Sequence, residues 1–166
     1  VAKENVDPER IFVTGMSNGA MMAYRLACEI PEKIKAIAPV AGYVLPAESC
    51  GSAVPIIHFH SLQDKNVPFE GGPGDGVSDF AFPSFEEVTS LWAQINRCES
   101  GVRTIKNENY TLYEWGGCAV PMKYYITEDG GHSWPGSNFK PRPLADDPST
   151  AIDANALMFD FFELIP

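Results

Sequence analysis

A glycine-flanked serine constrains this chain more than any other feature of its sequence. It stands in Gly15-Met16-Ser17-Asn18-Gly19, directly after the apolar run Ile11-Phe12-Val13. That run is typical of a strand buried on both faces. Residues from Asn18 to Glu29 carry small and apolar side chains at helical spacing, and Pro31 ends the pattern. The sequence therefore predicts a strand, a sharp turn and a helix, with the serine in the turn.

This setting is typical of a nucleophile elbow, in which the turn lifts a serine hydroxyl above the carboxyl edge of a parallel sheet. The glycines at positions 15 and 19 are expected to let the turn form without clashes of β-carbons. The positive end of the following helix favours a developing oxyanion. The alternative is an ordinary glycine-rich turn in which Ser17 only caps the helix.

The rest of the pattern predicts an α/β fold with a mainly parallel sheet. Further elements are predicted as strands at Ala36–Val40, Pro55–Phe59 and Met122–Ile126, a hairpin of Arg103–Lys106 with Tyr110–Glu114, a helix opened by the capping box of Ser84 and Glu87, and a final helix from Ala151. The Gly- and Pro-rich stretch from Asp64 to Pro83 is predicted as loop. Alternating strands and helices without a linker or repeat predict one domain over residues 1–166.

A nucleophilic serine needs a base, and the chain has three histidines. His58 lies inside an apolar strand and is interpreted as a packed core residue. His60 ends that strand and is positioned to line a site, but it precedes every candidate acid on its loop. His132 follows the last strand within a glycine-rich loop, where the base of this fold is expected. Its alternative interpretation is a solvated loop histidine.

The acid is expected after the third strand, because catalytic residues in folds with a nucleophile elbow follow the chain order serine, acid, histidine. Asp64 is the first carboxylate there. Asp75 and Asp79 lie later on the same loop and are interpreted as solvated. Asp129 follows the wrong strand for this chain order. Since parallel strands end at one edge of the sheet, we expect Ser17, Asp64 and His132 to meet there.

Composition excludes several other functions. The net charge of −10 would repel nucleic acid. No apolar run approaches the roughly 20 residues that span a membrane. None of the four cysteines forms a Cys-x-x-Cys motif, so we expect no zinc site, and no cofactor is expected either. The sequence does not decide whether the four cysteines are free thiols or form two disulfides. If they form disulfides, their spacing does not choose among the three possible pairings.

Three segments carry a family resemblance: residues 13–28 (VTGMSNGAMMAYRLAC), 36–42 (AIAPVAG) and 130–136 (GGHSWPG). They resemble the polyhydroxybutyrate depolymerase and feruloyl esterase family of α/β-hydrolases, which is related to carbohydrate esterase family 1. The resemblance implies Ser17 as nucleophile, Asp64 as acid and His132 as base. It also implies secretion, and ester substrates that are hydroxyalkanoate polymers or hydroxycinnamoyl esters of plant polysaccharides.

The same resemblance implies two disulfides, Cys28 with Cys50 and Cys98 with Cys118. In the mechanism that follows from it, the backbone N–H of Asn18 donates to the oxyanion. Trp134 and Tyr43 are candidates for an apolar wall around an acyl group. For both aromatic residues, ordinary packing is an equally good interpretation.

The chain departs from the family pattern at its beginning. Members carry several strands before the nucleophile strand, together with a His-Gly loop that gives a second oxyanion N–H, whereas about ten residues precede Ile11 here. We therefore expect the C-terminal part of a longer esterase, with a sheet incomplete on its N-terminal side. Losing one oxyanion donor typically costs about 3–4 kcal/mol, so we expect weak or no activity from the chain alone.

Two alternatives to an esterase remain open at this point. The first is a non-catalytic module that binds a polysaccharide or a partner chain through the open edge of its first strand. The second is a peptidase of the same fold, which would cleave amides rather than esters.

Overall fold

The structure is a computed structural model that describes residues 5–46, 50–76, 80–139 and 146–166. Its elements in chain order are β1 Phe12–Met16, α1 Asn18–Glu29, β2 Ala36–Val40, β3 Ile56–Ser61, β4 Gly72–Pro73, β5 Ala81–Phe82, α2 Phe85–Ile95, β6 Val102–Lys106, β7 Tyr110–Trp115, β8 Met122–Thr127 and α3 Ala154–Glu163. No helix within these ranges combines the length and the apolar character needed to cross a membrane.

Six strands form one sheet in the order β1-β2-β3-β8-β7-β6. The first four strands of that order run parallel, and the hairpin of β6 and β7 adds two antiparallel strands. Strand β1 lies at one edge. The register aligns Met16 with Val40 and Ser61 with Thr127, so the parallel strands end at one side of the sheet. The predicted mainly parallel α/β fold is confirmed.

Helices cover both faces of the sheet because the buried strands are apolar on both faces. Helices α1 and α2 pack on one face, where Tyr24 and Trp92 join a cluster with Ile56. Helix α3 packs on the other face, where Phe162 stacks on Phe12 at 4.4 Å. This three-layer arrangement leaves the ends of the parallel strands as the place where loops can converge.

Local signals predicted most element boundaries. The capping box is present: Ser84 Oγ accepts from the Glu87 N–H at 3.2 Å, and the Glu87 carboxylate accepts from the Ser84 N–H at 2.7 Å. Two expectations need correction. The final helix begins at Ala154, because the Asp153 side chain caps it. The stretch predicted wholly as loop contains the two-residue strands β4 and β5, which pair with each other.

The structure pairs Cys28 with Cys50 and Cys98 with Cys118, the pairing that the resemblance implies. The first disulfide ties α1 to the segment before β3. The second ties the residues after α2 to those before β8. Each one links a helix packed on the sheet, or the residues that follow it, to the segment before a strand, so both stabilise the packing of helices on the sheet.

Replacing Cys98 and Cys118 together by serine is expected to lower the free energy of unfolding by about 3 kcal/mol, because the open loop of about 20 residues gains conformational entropy in the unfolded chain. Urea denaturation under non-oxidising and non-reducing conditions measures the change. Reductant added to the variant should then cost less stability than reductant added to the wild type, since one disulfide is already gone. Equal unfolding midpoints for variant and wild type would contradict this account of the second disulfide.

Candidate active site

Ser17 stands in a strained turn between β1 and α1. Its φ of 58° and ψ of −117° lie in a region that residues other than glycine rarely adopt. Its N–H donates to the Val40 carbonyl at 2.9 Å. Its side chain makes no capping hydrogen bond to α1, so the alternative of a helix-capping serine is wrong. The hydroxyl is half-buried and free of a local structural role, as a nucleophile elbow requires.

Two glycines allow the backbone to approach this turn closely. A Cβ at Gly15 would lie 2.7 Å from the backbone carbon of Gly19. A Cβ at Gly42 would lie 2.4 Å from the Ser17 carbonyl oxygen. At Gly19, by contrast, a Cβ would meet nothing within 4 Å, so the expected steric need for glycine holds at Gly15 only. Gly42 was missed by the sequence reasoning, although it ends one of the segments that carry the resemblance.

Asn18 is the first residue of α1 and is exposed. The first N–H groups of a helix have no acceptor within the helix. They also lie at its positive end. The backbone N–H of Asn18 is therefore placed, next to Ser17, where a negatively charged oxygen would be stabilised.

Asp64 lies in the turn that follows β3, and only 3% of its surface is exposed. Its Oδ1 accepts the N–H groups of Asn66 and Val67, both at 2.9 Å. We call residues 64–67 the acid turn. These two bonds fix the carboxylate with Oδ2 directed away from its own turn and toward the loop after β8.

His132 lies in that loop and meets Asp64, as predicted. Its Nδ1 is 2.9 Å from Asp64 Oδ2, and its side chain is 12% exposed. Because a carboxylate can only accept, Nδ1 carries the proton, and Nε2 is left as an acceptor. The backbone N–H of His132 donates to the Asp146 carboxylate at 2.6 Å, which holds the loop from the other side.

The structure brings the acid and the base together, but it does not join Ser17 to them by a hydrogen bond within the described residues. Ser17 follows β1, which is two strands away from β3 in the sheet. It lies on the side of the sheet where the parallel strands end. Hydrogen bonds of catalytic groups are often long before substrate binds. The convergence of all three residues stays a prediction.

The other histidines of the chain are buried beneath the acid turn. His58 is fully buried, which confirms its interpretation as a packed strand residue. His60 is 1% exposed, so it does not line an open site. Burial lowers the pKa of both imidazoles, and for His58 the nearby His60 lowers it further. Both side chains are therefore neutral near pH 7.

Tyr43 and Trp134 differ in their placement. Tyr43 is 1% exposed, and its hydroxyl donates to the Pro68 carbonyl at 2.8 Å. The expected contact of Tyr43 with substrate is therefore wrong, because a buried ring offers no face to a ligand. Trp134 is half-buried two residues after His132, and its Nε1–H donates to Asn155 Oδ1 at 3.2 Å. Its contact with substrate stays a prediction.

The remaining carboxylates have other surroundings. Asp75 is exposed, as expected, and Asp79 lies outside the described residues. Asp129 accepts hydrogen bonds from Ser149 and Thr150, so it braces the chain segment behind His132. In the described part of the chain, no three His, Cys, Asp or Glu side chains cluster closely enough to hold a metal ion.

A strained serine turn after β1, an aspartate–histidine pair at the same sheet edge and a mainly parallel three-layer fold together define an α/β-hydrolase. The solved structure of acetyl xylan esterase from Aspergillus awamori shares this fold, with a TM-score of 0.60 and 16% identity over 98% of this chain and 62% of that one. The family model described as Phospholipase/Carboxylesterase matches residues 1–73.

Curated relatives extend the comparison. The chain is 55% identical over 158 residues to acetylxylan esterase of Coprinopsis cinerea, covering 80% of this chain and 42% of that protein. It is 28% identical over 141 residues to feruloyl esterase B of Piromyces equi, covering 80% of this chain and 26% of that protein. The chain thus spans less than half the length of these relatives. The resemblance is confirmed: the chain is similar to carbohydrate- and feruloyl-esterase-like α/β-hydrolases.

Replacing Gly42 by alanine is expected to displace Ser17 and to lower the free energy of unfolding by about 1–3 kcal/mol, since the new methyl group meets backbone that cannot move aside. Urea denaturation measures the loss. Gly101→Ala is the matched control, because a Cβ there meets nothing within 4 Å. Similar stability of the two variants would show that Gly42 does not support the serine turn.

Proposed function

We propose that this chain is the serine carboxylic-ester hydrolase part of a protein that removes acyl groups from xylan-type polysaccharides. Ser17 is the nucleophile, Asp64 the acid and His132 the base. The observation that carries the proposal is the 2.9 Å contact between His132 Nδ1 and the buried Asp64 Oδ2, at the sheet edge where the strained Ser17 turn also lies. An oriented base at the same sheet edge as a serine without a capping role is what nucleophilic catalysis needs.

The reaction follows from the roles of these groups. His132 Nε2 takes the Ser17 hydroxyl proton as Oγ attacks the ester carbonyl, and Asp64 stabilises the imidazolium that forms. The N–H of Asn18 donates to the tetrahedral oxyanion. When the intermediate collapses, the alcohol leaves with the proton from His132. Water, activated by the same imidazole, then releases the acid from Ser17 and restores the free hydroxyl.

The substrate class rests on the relatives and on charge. One relative is named an acetylxylan esterase and another a feruloyl esterase. A chain with a net charge of −10 is better suited to a neutral xylan backbone than to a polyanion. Polyester substrates remain a prediction of the sequence resemblance. Two disulfides favour an extracellular site of action.

The geometry favours an enzyme over a non-catalytic binding module. A backbone conformation such as that of Ser17 typically costs about 1–3 kcal/mol. A buried carboxylate also costs free energy unless its partners are in place. A module that only binds polysaccharide needs neither feature, whereas a serine hydrolase needs both.

A fluorophosphonate probe tests the nucleophile directly, because it phosphonylates only an activated serine. We expect the purified chain to be labelled at Ser17. Labelling should be absent in Ser17→Ala and should be slowed by about 10²–10⁴-fold in His132→Ala, since the general base is removed. Mass spectrometry of peptides locates the adduct and gives the rate. Ser133→Ala, one residue from the base, is the control, because the Ser133 hydroxyl donates its hydrogen bond to the Asp147 carbonyl and not to a catalytic group.

Labelling of Ser17→Ala at the wild-type rate would refute the assignment of the nucleophile. Complete lack of labelling in the folded wild-type chain would favour the binding module. Turnover of p-nitroanilides faster than that of the matching p-nitrophenyl esters would favour the peptidase.

Release of acetate from acetylated xylan, compared with release of ferulate from methyl ferulate, tests the acyl group. Because Asn18 is the one oxyanion donor assigned in this chain, we expect weak ester cleavage with at least one of the two, and no cleavage by Ser17→Ala. Chromatography of the released acids measures both in one reaction. Cleavage of polyhydroxybutyrate but of neither xylan-type ester would overturn the proposed substrate class.

A further inference from the structure

The histidine beneath the acid turn makes contacts that its packing alone does not require. His60 Nε2 lies 2.8 Å from the Val67 carbonyl oxygen. A carbonyl can only accept, so Nε2 carries the proton and donates it. The N–H of the same residue, Val67, donates to Asp64 Oδ1 at 2.9 Å. His60 therefore holds the peptide group that contains the Val67 carbonyl. The preceding peptide group, which contains the Val67 N–H, holds the Asp64 carboxylate.

A second buried imidazole supports this proton position. His58 Nε2 lies 3.4 Å from His60 Nδ1, and the Tyr24 hydroxyl lies 3.0 Å from His58 Nδ1. With its proton on Nε2, His60 presents Nδ1 as an acceptor toward His58 Nε2. The Tyr24 hydroxyl also lies 3.1 Å from the Tyr124 hydroxyl, so a chain of buried groups runs from the two tyrosines through both imidazoles to the acid turn.

His60 must also remain uncharged in this arrangement. Its Nε2 is 3.6 Å from Asp64 Oδ2, the oxygen that accepts from His132. A protonated His60 would compete with His132 for this carboxylate. Burial lowers the pKa of His60 and outweighs the opposing effects of Asp64 and the Val67 carbonyl. The ring of Tyr43, with its centroid 4.9 Å away, closes the remaining side.

We propose that His60 is a positioning residue: its Nε2–H, donated to the Val67 carbonyl, fixes the acid turn so that Asp64 Oδ2 faces His132. The assignment rests on the proposed function, because it concerns the acid and base of that reaction. It differs from a packing role in one respect. A packing role depends on the volume of the side chain, whereas this role depends on a donor at the position of Nε2.

Nitrogen-15 NMR of the three histidines tests the proton positions without any turnover. In the wild type, we expect His60 to be neutral and protonated on Nε2, and His132 to be protonated on Nδ1. In His60→Asn, whose amide is too short to reach Val67, the Nδ1–H signature of His132 should be lost or averaged. His60→Gln, which places an N–H near the position of Nε2, should restore it. His60 protonated on Nδ1 in the wild-type chain would overturn the proposal by itself.

Ester hydrolysis gives the second measurement. We expect His60→Asn to lower kcat by about 10–100-fold with little change in KM, because a misplacement of about 1 Å costs up to two orders of magnitude. His60→Gln should stay within about 3-fold of the wild type. The control is Phe59→Leu, which shrinks an equally buried side chain of the same strand on the other face of the sheet.

Equal effects of His60→Gln and His60→Asn, or of Phe59→Leu and His60→Asn, would show that only packing matters. If His60→Asn does not fold, the wild-type tautomers and the activity of His60→Gln decide between the two roles. A wild type whose Ser17 is not labelled by the fluorophosphonate probe but which shows the expected tautomers, with the His132 signature lost in His60→Asn alone, would refute the proposed function and leave the positioning role standing.

Discussion

The site depends on one buried carboxylate. Asp64 is removed from water, and its charge is tolerated because two N–H groups of its own turn and the imidazole of His132 surround it. This arrangement links two loops that are 68 residues apart in the chain. Without it, the His132 backbone would keep its brace through Asp146, but the imidazole would have no fixed orientation. Asp64 therefore contributes to the structure of the site as well as to its chemistry.

The sheet makes this contact possible by fixing where the loops begin. Strands β3 and β8 are neighbours in register from Ile56 with Met122 to Ser61 with Thr127, so the acid turn and the loop of His132 start side by side. The serine turn follows β1 on the same side of the sheet, where the parallel strands end. Cores on both sheet faces and two disulfides hold these strands, and their stability offsets the strain at Ser17 and the desolvation of Asp64.

The sequence predicted the parts of the site that depend on local pattern and chain order. The turn around Ser17 is recognisable because an apolar run, two glycines and a helical period adjoin within twenty residues. Asp64 and His132 were found because each follows a strand. The role of Tyr43 was predicted wrongly, because exposure depends on which loops fold over a side chain. The contacts of His58 and His60 with Tyr24 and Val67 were not predicted, because they arise only when α1, β3 and the acid turn pack together.

The proposed mechanism requires Ser17, Asp64 and His132 to meet at one place in the folded chain. A crystal structure of the chain after reaction with a small organophosphonate measures this most directly. We expect phosphorus bonded to Ser17 Oγ, its phosphoryl oxygen about 2.7–3.1 Å from the Asn18 backbone nitrogen, and His132 Nε2 within hydrogen-bond reach of Ser17 Oγ. Phosphorus on another residue, or an imidazole of His132 that is paired with Asp64 but turned away from the adduct, would contradict it.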